Sequence, residues 1–87
     1  MLSDIQKITL RDVFRDHGLT ERQIEDIFLL LYFKPENVQQ AFYYTSIGFS
    51  YLKTSEKIHV STKQAWKYVN ENCEDIKTYL KMYISMY

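Results

Sequence analysis

Four lysines fall in one short stretch of a chain whose charges otherwise balance. Lys53 and Lys57 are four residues apart, as are Lys63 and Lys67. On a helix that spacing puts each pair on one face, where the ammonium groups can meet successive phosphates. Between positions 48 and 70 there are four basic residues and one acidic residue, Glu56, whereas residues 1–36 carry five basic and seven acidic and residues 71–87 two and three. The totals of 11 and 11 cancel, which argues against a surface adapted throughout to nucleic acid and confines any such role to this segment. The plainer reading of the lysines is a solvated face, since Lys is soluble and a good helix former.

The other reactive side chains offer less. Cys73 is the single cysteine, which rules out an intramolecular disulfide and a thiolate metal cluster and fits a reducing compartment, so cytoplasm is the expected location. It has no neighbour pattern that would mark a nucleophile, and is expected to be a small core residue. His17 and His59 lack companions at metal-ligand spacing; His17 is expected to cap a helix end, where its charge suits the dipole. There is no Gly-rich phosphate loop and no carboxylate pair with a defined cleft. Catalysis, a metal, a cofactor and a small-molecule substrate are therefore not expected. The tyrosines at 43, 44, 79, 83 and 87 suggest either a stacking surface for single-stranded nucleic acid or half-buried packing and interface anchors.

These side chains need helices to hold them. The chain has 87 residues, 46% of them apolar or aromatic, enough for one small domain with a core. Neither a signal peptide nor a membrane span is legible. Strand-like alternation is absent, and the reading is all-α, a compact bundle of five or six short helices. Thr9 to Asp12 has the form of a capping box ahead of Leu10, Val13, Phe14 and His17, with Gly18 as the stop; Ser3 with Gln6 offers an earlier start. Thr20 with Gln23 opens a second helix with an apolar stripe of Ile24, Ile27, Phe28 and Leu31. Pro35 suits the first position of a third, where Val38, Ala41, Phe42 and Thr45 share a face until Gly48, with Phe49 closing its end. Asn72 with Asp75 is placed to cap a last helix, although Ala65, Val69, Cys73, Ile76 and Leu80 also fit one continuous helix.

The segment from Ser50 to Asn70 reads as helix, tight turn, helix. Ser50 and Ser61 are both good N-caps, and starts eleven residues apart leave room for only a short turn. Ser55 is small where two helices must approach, and Ile58, Val60, Ala65 and Tyr68 supply apolar contacts. On these residues, with Gly48-Phe49-Ser50 as the opening, the segment resembles the helix-turn-helix of LuxR-type regulators and of sigma-factor promoter-reading domains. Leu19 to Gln23 is similar to the start of the helix that precedes the motif there. The resemblance covers about the last three quarters of the chain. The stretch from Gln23 to Gly48 is longer than those families place there, so an extra helix is implied; Thr54 stands where an aliphatic residue is usual and His59 where Gly is common.

The resemblance implies that Ser61, Thr62, Lys63, Trp66, Lys67 and Asn70 face the major groove of double-stranded DNA from the second helix, with Lys53 and Lys57 nearer phosphates. It implies a small transcription regulator without a cofactor. Four contacts are a weak footprint, so a homodimer or a partner protein is part of that expectation. Trp66 either projects toward a partner or packs under the N-terminal helix. The alternative function is a protein-binding module, a small regulator or phage-type inhibitor, that keeps the same shape and holds a protein through Trp66 and the tyrosines.

Overall fold

In the computed structural model, which describes residues 1–84, each helix begins and ends on chemistry that can be named. The Ser3 hydroxyl accepts from the Gln6 amide (3.1 Å) and the Gln6 side chain accepts from the Ser3 amide (3.0 Å), a reciprocal capping box that starts α1 (Asp4–Asp16). The start expected at Thr9 is thereby corrected to the earlier one. Thr9 lies inside the helix, and its hydroxyl donates to the Ile5 carbonyl (2.9 Å), the usual outlet for a mid-helix threonine. Thr20 and Gln23 form a second such box and open α2 (Glu21–Tyr32). Pro35 is the cap of α3 (Glu36–Ser46), one position before its expected place as first helical residue. Ser50 and Ser61 cap α4 (Tyr51–Ile58) and α5 (Thr62–Asn70) by accepting from Lys53 (3.1 Å) and Gln64 (3.0 Å).

Three of the helix ends share one closure. After α1, α3 and α4 a residue in the left-handed region, Gly18 (φ 91°), Gly48 (φ 107°) or His59 (φ 59°), turns the chain back. The next amide, of Leu19, Phe49 or Val60, donates to a carbonyl of the last turn at 3.0–3.1 Å. In each case the residue after the turn is apolar. Phe49 packs on Tyr44, with ring centroids 5.3 Å apart, as a closing residue should. His59 thus adopts the backbone conformation that favours Gly at this position.

Glu71 to Cys73 form a break, so α5 does not run on into α6 (Glu74–Tyr83). The expected cap from Asn72 is not made. Cys73 occupies the cap position without a side-chain bond, and Asp75 accepts from the adjacent Ile76 amide (2.8 Å) instead.

These are six helices and, among the described residues, no strand. The fold is all-α. α3 lies at the centre: it packs against α1 on one side and against α4 and α5 on the other, while α6 closes the bundle by touching α2 and α5. Phe14, Ile24, Leu31, Phe42, Ile76 and Leu80 fill the middle with at most 1% exposure. Phe14 and Phe42 meet with centroids 6.3 Å apart. Among the described residues no helix is long and apolar enough to cross a membrane.

One core position is a mismatch. Thr54 is fully buried, and its hydroxyl finds no hydrogen-bond partner among the described residues. A buried hydroxyl left unpaired costs about 1–3 kcal/mol, and Val has the same shape without the oxygen. Thr54→Val should therefore stabilise the fold by about 1 kcal/mol, raising Tm by roughly 4–8 °C for a domain of this size. A thermal melt that stays put or falls would mean the hydroxyl is satisfied after all.

The α1–α2 junction carries the clearest electrostatic link. Arg15 grips Glu21 with two donors, Nε at 2.5 Å and Nη2 at 3.2 Å, and a third reaches Asp12 at 3.1 Å. The hydrogen bond from Arg15 holds the Glu21 carboxyl below its ordinary value of 4.5. A depressed folded-state pKa makes a contribution that is complete above the unfolded value and disappears as pH falls through the folded one. Glu21→Gln should therefore lose less stability than the parent on acidification from neutral pH to below 4.5. Urea midpoints of the two proteins measured across that window check it; parallel curves would refute it.

Candidate nucleic-acid interface

The unit formed by α4, the turn 59–61 and α5 carries all the residues expected at a DNA contact. Its internal geometry is tight. Ser55, 4% exposed, donates to the Leu52 carbonyl at 2.6 Å and lies 3.4 Å from the Thr62 hydroxyl across the turn. The small side chain at 55 is thus where the two helices approach. Ala65 and Val69 are fully buried on the inner face of α5, which leaves Lys63 and Lys67 on the outer one, a single turn apart, with Trp66 and Asn70 beside them.

Each expected contact residue can be placed. Lys53 and Lys57 are exposed, one turn apart on α4. The Lys53 ammonium lies 3.9 Å from Glu56 in an exposed pair, an interaction worth at most about 1 kcal/mol and readily exchanged for a phosphate. The Lys57 ammonium sits 5.9 Å from the centre of the Phe49 ring, at the edge of cation–π range. Thr62 and Lys63 are exposed and Lys67 is half-buried. The Ser61 hydroxyl is occupied as the α5 cap. Trp66 is 46% exposed.

Asn70 is engaged elsewhere. Its Nδ2 donates to the Tyr51 hydroxyl (2.9 Å) and to the Trp66 carbonyl (3.0 Å), and its Oδ1 accepts from Lys77. The amide ties α4, α5 and α6 together and fixes the angle at which α5 is presented, so both of its ends are occupied within the fold. Tyr51 and Lys77, which anchor that latch, were not legible as a group because they are 26 residues apart in sequence. Leu52, 56% exposed, also escapes a reading by residue type. Its register with Glu56, one turn on, is the signal that it faces solvent.

The electrostatics of the unit differ from those of the rest of the bundle. α1, α2, α3 and α6 each have an acidic residue in the first turn, whereas α4 and α5 have none. The partial positive charge of those two helix starts is therefore not offset by a carboxylate of their own.

Other candidates resolve into structural roles. The Cys73 thiol is fully buried, and burial pushes it up to about 12, so it is protonated at neutral pH. His17 caps α1 with Nδ1 2.8 Å from the Val13 carbonyl. Tyr43 is buried and Tyr44 packs between it and Phe49. Tyr79 donates to Asp26 at 3.0 Å; partial burial and then this bond push its phenol up to about 12. Tyr83 packs on Tyr79, centroids 5.0 Å apart. The tyrosines of α3 and α6 therefore form two separate packing pairs, and Tyr87 lies outside the described residues. Among the described residues no cluster of His, Cys, Asp and Glu could hold a metal ion. No family model, curated protein or solved structure matches the chain.

Proposed function

We propose that the α4–α5 unit is a DNA-reading helix-turn-helix and that the chain is a small transcriptional regulator, of the kind the LuxR-type and sigma-factor resemblance implies. The observation that carries this reading is the charge exposed on the unit. Lys53 and Lys57 are exposed on α4, Lys63 is exposed and Lys67 half-buried on the outer side of α5, Trp66 is half-exposed beside the last two, and Glu56 is the unit's only acid. Lysines of this kind neutralise phosphates, and the start of α5, capped by Ser61 and free of acidic residues, tolerates a phosphate close by. Thr62, Lys63 and Trp66 are the residues for base edges and thymine methyls. Asn70 acts by holding α5 in place.

Four phosphate contacts give a log–log salt slope of roughly −3 to −4 per protomer, so specific recognition is assigned to a homodimer or a partner-assisted complex. Titration of duplex DNA by mobility shift at two salt concentrations about fourfold apart tests the reading, with binding expected to weaken by on the order of a hundredfold. No binding at the lower salt, or binding indifferent to salt, would end it.

One observation favours a second reading. Leu52 and Trp66 are large apolar side chains, 56% and 46% exposed, on the same unit, and an exposed Trp is a common anchor of protein interfaces. In that reading the unit grips a protein. Binding that survives high salt and is lost in Trp66→Ala and Leu52→Ala, with no affinity for DNA, would select it.

A further inference from the structure

A recessed surface lies toward the other end of the sequence, with no residue of α4 or α5 in its walls. It is a groove of about 150 Å³ between α1, α2 and the start of α3. Leu2 and Leu31 are buried at its floor, Phe28 is half-buried, and Met1 and Tyr32 are exposed at its sides. The charged groups that line it are Lys7, Arg11 and the Met1 ammonium, all cations, the last paired with Glu36 at 3.0 Å. Arg11 lies over the Phe28 ring, 4.7 Å from its centre, and its guanidinium holds the exposed carboxylate of Glu25 at 2.5 Å. Beyond Tyr32 the apolar surface continues onto Phe33, 77% exposed, whose ring meets Tyr32 edge-on at 5.3 Å.

Size decides what such a groove can hold. About 150 Å³ takes one benzene-sized group, whereas sites that enclose a whole organic ligand run to roughly 300–1,000 Å³. One aromatic ring or branched aliphatic side chain fits, and the remainder of its molecule must lie outside, across Tyr32 and Phe33. That is the geometry of an anchor residue on a chain. Charge supplies the second constraint, because a groove whose lining charges are all positive favours carboxylates, and Arg11 already holds one at the rim.

We propose that the α1–α2 groove docks an acidic protein segment, which inserts one phenylalanyl or leucyl side chain between Leu31, Tyr32 and the part of Phe28 that Arg11 leaves open, and sets a neighbouring carboxylate against Lys7 and Arg11. The incoming carboxylate takes the place of Glu25 on the half-buried Arg11, the Glu25 carboxylate itself being exposed and free to swing away. This site is independent of the DNA reading and leaves the α4–α5 face open.

The test is a titration of the ¹⁵N-labelled full chain with the blocked tripeptide acetyl-Glu-Phe-Glu-amide, followed by amide chemical shifts. Acetyl-Lys-Phe-Lys-amide and acetyl-Glu-Ala-Glu-amide are the controls. The expected result is saturating shifts at Arg11, Phe28, Leu31 and Tyr32, with both controls at least about tenfold weaker. Equal response to the three peptides, no response, or shifts confined to α4 and α5 would overturn the proposal. So would shifts of the same residues that grow with protein concentration alone, which would assign the groove to a second copy. In a Lys7→Gln, Arg11→Gln double variant the preference for Glu over Lys flanks should vanish; if it persists, the cations are not the recognition element.

Discussion

Lys63→Ala combined with Lys67→Ala should weaken binding to duplex DNA roughly 10- to 100-fold at low salt and flatten the salt slope by about 2, one unit for each phosphate contact removed. The two side chains lie on the outer face of α5, with Lys63 exposed and Lys67 half-buried, and neither makes an ion pair among the described residues. Their loss should leave the fold intact, since alanine is the better helix former. Far-ultraviolet dichroism and a urea curve superimposable on those of the parent would establish that control. If the affinity and slope were unchanged in a folded double variant, α5 would not be the helix that meets the phosphates. The pair Lys53→Ala and Lys57→Ala would then decide whether α4 or neither helix does so.

Phe42→Ala should cost about 3–5 kcal/mol of stability, a large share of what a domain of this length has. Phe42 is fully buried on α3 and meets the equally buried Phe14 of α1, so the substitution opens a cavity between the central helix and the N-terminal pair. The denaturant midpoint should fall steeply with the m-value retained, or the chain should be unfolded at 37 °C; a loss under about 1 kcal/mol would show that the core collapses into the gap. The contrast with Thr54→Val is informative, because two fully buried positions on adjacent helices are expected to respond in opposite directions.

Local chemistry was legible in the sequence where it is written in a few adjacent residues. The Thr20–Gln23 box, the Ser50 and Ser61 caps, the Gly18 and Gly48 stops and the Phe49 closure are all read from patterns no longer than a turn. Where two such patterns competed, the choice needed tertiary contacts. Ser3 prevails over Thr9 because the extra turn lets Gln6 donate to Gln40 at 2.8 Å, across to α3. Asn72 does not cap α6, because that helix starts one residue later than the pattern suggests, with the fully buried Cys73 in the cap position. The candidate site divides in the same way. The outward lysines follow from helical spacing. The engagement of Asn70 depends on Tyr51 and Lys77, which the fold alone brings together, and the groove at Arg11 and Phe28 depends on the packing of α1 against α2.

The half-exposed Trp66 is the chain's single tryptophan, so the molecule carries its own optical reporter at the face in question. Its intrinsic fluorescence samples solvent on the outer side of α5, and any partner that covers that helix, nucleic acid or protein, changes the emission without a label. The α1–α2 groove has no α5 residue in its walls, so an occupant there is silent in that channel. Two binding surfaces on one small bundle can thus be told apart in the same cuvette.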